Sequence, residues 1–137
     1  MGAPAGSVLL GNKEFIKKAR RIRKVFGGGM RQAGFIAAAG VYALNNNIER
    51  LKDDHCRAKE IGNVLKSVSY VKDVLPVETN IIILNLNDNL KPENFVQQLA
   101  KHNIKVTGFG KQAIRFVTHL DFDDVMLEKV EKVLKGM

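Results

Sequence analysis

The sequence gathers its chemically capable residues in two places. The first is Gly27-Gly28-Gly29-Met30-Arg31-Gln32, three glycines with Arg31 just beyond them and Lys24 just before. Glycine takes positive φ freely and lets another surface come close. A glycine turn that opens a helix offers free N–H groups and the positive end of the helix dipole. Arg31 in the first turn adds a fork of guanidinium donors and Lys24 a point charge, so the set suits one phosphate or carboxylate. On the glycines alone, a helix C-cap followed by a flexible corner is the plainer account. The second place is Arg115, which interrupts the apolar strand Ile114-Arg115-Phe116-Val117. A charge in such a strand has to be paired or to face a cleft. An edge-strand arginine and a carboxylate-binding arginine stand equally open at this point. His119 carries the same ambiguity, with packing the plainer role.

Other candidates carry less. His55 and Cys56 are adjacent, so on a helix they point apart, and no further Cys or His lies near enough in sequence to complete a zinc set. No metal is expected, and His55 reads as a packed core histidine. Gly108-Phe109-Gly110-Lys111 lacks the spacing and the following helix of a phosphate loop, and reads as a hairpin turn. Lys17, Lys18, Arg20, Arg21, Arg23 and Lys24 form a basic face that invites a nucleic-acid reading within a net charge of +8. Interleaved exposed aromatics and a known binding signature are missing, so no nucleic-acid partner is expected.

The elements that must position these residues follow from periodicity. Ser7 to Gly11 reads as a short apolar strand, which needs partner strands from elsewhere. Asn12 caps a helix from Lys13 to Phe26, with Phe15, Ile16, Ala19, Ile22 and Phe26 at helical spacing. Arg31 to about Asn45 is apolar nearly all round, the mark of a buried helix, and implies a larger fold or an oligomer interface to cover it. Asn45 to Asn47 weaken the helical pattern. It resumes along Ile48, Leu51, His55, Ala58, Gly62 and Leu65, leaving Asp53, Asp54, Arg57, Lys59 and Glu60 off the stripe. From Val68 the order is β-β-α-β-β-α: strands at Tyr70–Val77 and Ile81–Leu86, a helix opened by Pro92, strands at Ile104–Val106 and Ala113–Thr118, and a last helix capped by Asp121. That pattern is a small two-layer α+β unit with helices on one face of a mostly antiparallel sheet. The 137 residues, 45% of them apolar, suffice for one domain or the tail of a larger protein. One cysteine excludes an internal disulfide framework, and no apolar run reaches membrane-spanning length. A soluble cytoplasmic protein with no membrane contact is expected.

Several of these segments, in order and collinear, resemble the threonine aldolase family. They are Gly2-Ala3-Pro4-Ala5-Gly6-Ser7, Arg20-Arg21-Ile22-Arg23-Lys24, Gly27 to Gly34, Ala37-Ala38-Ala39-Gly40, Asp54-His55 and Arg115-Phe116-Val117-Thr118-His119-Leu120-Asp121. The family comprises pyridoxal 5'-phosphate (PLP) enzymes of the aspartate-aminotransferase fold that cleave L-threonine and L-allo-threonine to glycine and acetaldehyde. The resemblance implies an α/β chain. Residues 1–47 would end the large PLP-binding domain, 48–66 form a linking amphipathic helix, and 67–137 form the small α+β C-terminal domain. Arg31 matches the family arginine near the cofactor phosphate, contributed across a dimer interface, and Lys24 the basic residue beside it. Arg115 matches the arginine that binds the substrate α-carboxylate. Ser7, Gly2 and Gly6 would shape the backbone near the Schiff-base lysine.

That lysine sits, in the family, in a stretch whose end matches Gly2-Ala3-Pro4, so it is expected upstream of Met1 and no catalytic residue is assigned within the chain. The resemblance thus implies a C-terminal portion of a carbon-carbon lyase that needs an upstream segment, and an assembly of the dimer or tetramer kind. The alternatives are a basic nucleic-acid-binding protein and a non-catalytic α+β module that binds a carboxylate or a partner chain.

Overall fold

The computed structural model describes all residues, 1–137. It divides into two compact units, Met1–Ile48 and Glu49–Met137. In the first, helix α1 (Lys13–Val25) is capped by Asn12, whose Oδ1 accepts a hydrogen bond from the Phe15 N–H at 2.9 Å. Helix α2 spans Gly34–Asn46 and ends at Asn47, so the helical run does not continue directly into the helix that starts at Leu51. Residues 7–11 form no strand, contrary to expectation, because a lone segment has no ladder to join. Nor does α2 begin at Arg31. Gln32 takes φ of +52°, which no helical residue does, and the helix starts only after Ala33, without a side-chain cap. The expected burial of α2 is also absent, Ala43 being its one buried residue, since this unit supplies no apolar layer to cover it.

The second unit has a core of its own. Helix α3 (Leu51–Ser67) is followed by β1 (Val71–Val74), β2 (Ile81–Leu86), α4 (Pro92–Lys101), β3 (Thr107–Phe109), β4 (Ala113–Val117) and α5 (Asp124–Lys135). The sheet is antiparallel throughout, in the order β1-β2-β4-β3. Alternation puts Ile82, Leu84 and Leu86 of β2, with Ile114 and Phe116 of β4, on one face. There they join Ile61 and Leu65 of α3, Phe95 and Leu99 of α4, and Leu127, Val130 and Leu134 of α5 in one buried cluster. The other face keeps exposed apolar side chains, among them Ile81, Phe109 and Val117.

Three details depart from the sequence reading here. Asp123, not Asp121, caps α5, its Oδ1 accepting from the Met126 N–H at 2.8 Å, while the Asp121 N–H donates to His119 Nδ1. The third strand lies at Thr107–Phe109, beyond Ile104–Val106, and turns back at Gly110 with φ of +75°. Asp54, placed off the stripe of α3, is 2% exposed, whereas His55 is only half-buried.

Candidate functional site

The glycine joint is first of all a helix terminus. The Gly28 N–H donates to the Arg23 carbonyl at 2.8 Å and the Gly27 N–H to the Lys24 carbonyl at 3.1 Å. With Gly27 at φ of +78°, these bonds make a Schellman motif that closes α1. The expected helix N-terminus beyond it is displaced, so Arg31 lies three residues before α2. What the joint does hold is the side chain of Lys24, folded back along it. A Cβ on Gly29 would come within 2.8 Å of Lys24 Cδ and 3.0 Å of its Nζ. Neither Lys24 nor Arg31 has a carboxylate partner. Their unit carries eight lysines and arginines against a single acid, Glu14. Lys24 is thus an unpaired cation beside a backbone without Cβ atoms, and Arg31 a second unpaired cation further on in sequence.

Arg115 is placed by β4, which pairs with β2 on one side and β3 on the other. It is therefore an interior-strand residue, and the edge-strand alternative is removed. Its cross-strand neighbours are Ile83 and Thr107, on the sheet face away from the helices. The Arg115 Nε–H is buried and has no hydrogen-bond partner, the one such side-chain atom in the protein. A buried donor left unpaired costs about 1–3 kcal/mol, so its persistence calls for an acceptor. A groove of about 380 Å³ in this unit is lined by Ile104, Phe116, His119, Phe122 and Met126 and does not include Arg115.

The remaining candidates take ordinary roles. His119 is exposed and supports its own turn through the Asp121 N–H. Cys56 is exposed, and no three His, Cys, Asp or Glu side chains converge to hold a metal ion.

A profile described as beta-eliminating lyase matches residues 1–89, more than half of the chain. The chain belongs to the beta-eliminating lyase family. Among curated relatives, the low specificity L-threonine aldolase of Escherichia coli is 37% identical over 130 residues, spanning 95% of this chain and 38% of that protein. A probable low-specificity L-threonine aldolase of Arabidopsis thaliana is 39% identical over 133 residues, with the same shares. The chain thus spans about 38% of the length of the curated relatives it matches. Among solved structures, the ornithine aminotransferase of Toxoplasma gondii superposes with a TM-score of 0.60 at 16% identity, over 74% of this chain and 25% of that one. A cystine C-S lyase superposes with a TM-score of 0.58 at 19% identity, over 74% and 28%. These likenesses establish the fold of that class of enzymes for this chain.

Two functional-looking features escaped the sequence reading. Asp54 is gripped by both terminal nitrogens of Arg50 at 3.1 and 2.8 Å, and its backbone carbonyl accepts from Thr118 Oγ1 at 2.7 Å. The spacing Leu51, Asp54, Ala58, Ile61, Leu65 places Asp54 on the apolar stripe, and Arg50 stands one helical turn before it. Arg57 donates to Asp124 Oδ1 at 2.7 Å and to the Phe122 carbonyl at 2.9 Å, and the Asp124 hydrogen bond raises its pKa.

Proposed function

We propose that this chain supplies the C-terminal part of a PLP-dependent aldolase that cleaves L-threonine and L-allo-threonine to glycine and acetaldehyde. The observation that carries the reading is the buried, unpartnered Nε–H of Arg115 on an interior strand. A substrate α-carboxylate supplies the missing acceptor. With a terminal N–H of the same guanidinium it forms a bidentate pair, which fixes which bond at Cα is aligned for cleavage.

The chain's residues also fit the anionic end of the cofactor. Lys24 lies over the backbone of Gly29, Arg31 follows two residues on, and both lack an internal counter-charge. These two residues would hold the phosphate. Bound, pyridoxal 5'-phosphate supplies the electron sink for breaking Cα–Cβ. Lys24 and Arg31 would neutralise the phosphate charge, and Arg115 would orient the amino acid by its carboxylate. The covalent lysine is assigned to no residue of this chain, so the 137-residue protein mixed with PLP should release no acetaldehyde from threonine. The complete enzyme is cytoplasmic and assembles as a dimer or tetramer in this reading.

The direct test follows the Arg115 Nε–H resonance of the ¹⁵N-labelled chain, assigned by its loss in Arg115→Gln. L-threonine and glycine should shift it saturably, whereas threoninol, which has no carboxylate, should not. A signal indifferent to all three, or equally sensitive to threoninol, refutes the carboxylate role.

A further inference from the structure

Only two polar residues are buried in the core: Asp54, 2% exposed, and Thr118, 1%. They are joined. Thr118 Oγ1 donates to the Asp54 backbone carbonyl at 2.7 Å, and the Asp54 carboxylate accepts both bonds from Arg50. Asn80 holds the main chain of Thr118 from the other side. The Thr118 N–H donates to the Asn80 carbonyl at 3.0 Å, and Asn80 Nδ2 donates to the Thr118 carbonyl at 2.6 Å. The first turn of α3, the residue before β2 and the residue after β4 are thereby tied at one point.

Burial alone does not demand this arrangement. Valine would fill the place of Thr118 without a hydroxyl, and apolar replacements for buried polar clusters are often neutral or stabilising. What an apolar junction lacks is direction, and direction matters three residues from Arg115. The ladder of β4 stops at Val117, so past that residue the strand's tilt is set by the bonds of Thr118. A bidentate carboxylate site tolerates displacements of about 0.5 Å and 10–20°.

We propose that Thr118, held by Asp54 and Asn80, is a positioning residue that fixes the tilt of β4 and so the aim of the Arg115 guanidinium. The inference rests on the reading of Arg115 as a carboxylate binder. Arg50 belongs to the same device, because it holds the turn of α3 from which the Asp54 carbonyl projects.

The test uses the full ¹⁵N-labelled chain and the Arg115 Nε–H signal, with L-threonine as the probe. Thr118→Val should weaken binding about tenfold and Thr118→Ser should restore it to within about twofold, the scale on which small misplacements act. Arg50→Lys, which keeps the charge and loses the fork, should shift affinity in the same direction by less, and carries the test if Thr118→Val does not fold. Wild-type affinity in Thr118→Val, with only a lower melting temperature, makes the cluster purely structural and overturns the proposal. If the wild-type signal answers to no carboxylate, the carboxylate reading has failed instead. The order parameter of the Arg115 Nε–H then decides: it should fall in Thr118→Val and recover in Thr118→Ser, and an unchanged value overturns positioning.

Discussion

Replacing Arg115 by methionine separates a functional arginine from a structural one, because the two roles predict opposite signs for stability. Met has a similar reach, sits comfortably on a half-buried sheet position and brings no donor. In wild type the Nε–H is buried without an acceptor in a strand paired on both sides. Removing such a group returns about 1–3 kcal/mol. Against this stands the packing of the arginine stem, which methionine largely reproduces. The net expectation for Arg115→Met is a gain of about 1 kcal/mol, which raises the melting temperature of a unit this size by about 4–8 °C. Urea unfolding followed by far-UV circular dichroism measures the first quantity and thermal unfolding the second. The same variant should bind L-threonine at least about tenfold more weakly, since a hydrogen bond to a charged group is worth about 1.5–3 kcal/mol. Arg115→Lys keeps the charge and loses the fork, and should fall between in affinity. If Arg115→Met loses stability by a kilocalorie or more while amino-acid affinity is unchanged, the argument from the unpaired donor is wrong.

Other outcomes follow from single contacts. Gly62→Ala adds a Cβ 2.9 Å from Val77 Cγ2, a stiff β-branched neighbour, so overpacking of about 1–3 kcal/mol outweighs the helix-propensity gain of about 1 kcal/mol. The variant should be less stable, yet in a Val77→Ala background the same change should stabilise. Additive effects in that cycle, measured by urea unfolding, exclude the clash. Burial pushes the Tyr70 phenol up to about 12, and its O–H donates to the Leu134 carbonyl at 2.8 Å. The folded state therefore favours the neutral phenol, so this contribution is complete below pH ~10 and lost as pH rises through 12, worth no more than about 1 kcal/mol at a half-exposed site. Tyr70→Phe should flatten stability across that window, and an unchanged slope contradicts the assignment. Amide hydrogen exchange should be slow in α3, β2 and β4 and fast throughout α1 and α2, because helices of 13 residues that bury no side chain, or only Ala43, are marginal in water. Comparable protection in α1 and β2 rules that account out.

Local rules carried much of the second unit. The β-branched run Ile81–Leu86 is a strand with those bounds, Pro92 opens α4, and Asn12 caps α1. Each is decided within a few residues of itself. The misses needed information from further away. Residues 7–11 have strand composition and no ladder, and Gln32 delays α2 through a backbone angle that its side chain does not announce. The charge of Asp54 argues for the surface, yet its position on the stripe decides its fate, since Arg50 one turn earlier compensates the burial. Asp121 and Asp123 are both good caps by type. Asp123 caps because a turn closed by the Phe122 N–H and the His119 carbonyl comes first and α5 starts only at Asp124.

The ambiguity at Arg115 shows where local reading stops. Whether that strand is an edge depends on β4 reaching back across α4 and β3 to pair with β2, a connection no alternation pattern states. Once β4 is interior, its charge cannot relax toward solvent at a sheet edge, and the Nε–H stays buried with no acceptor from the protein. The same logic separates the two cationic sites energetically. Arg115 is half-buried in a strand paired on both sides, so substitutions there should act on stability and binding together. Lys24 and Arg31 are exposed in a unit whose α1 buries nothing, so removing their charge should change anion affinity with little effect on the unfolding of Glu49–Met137.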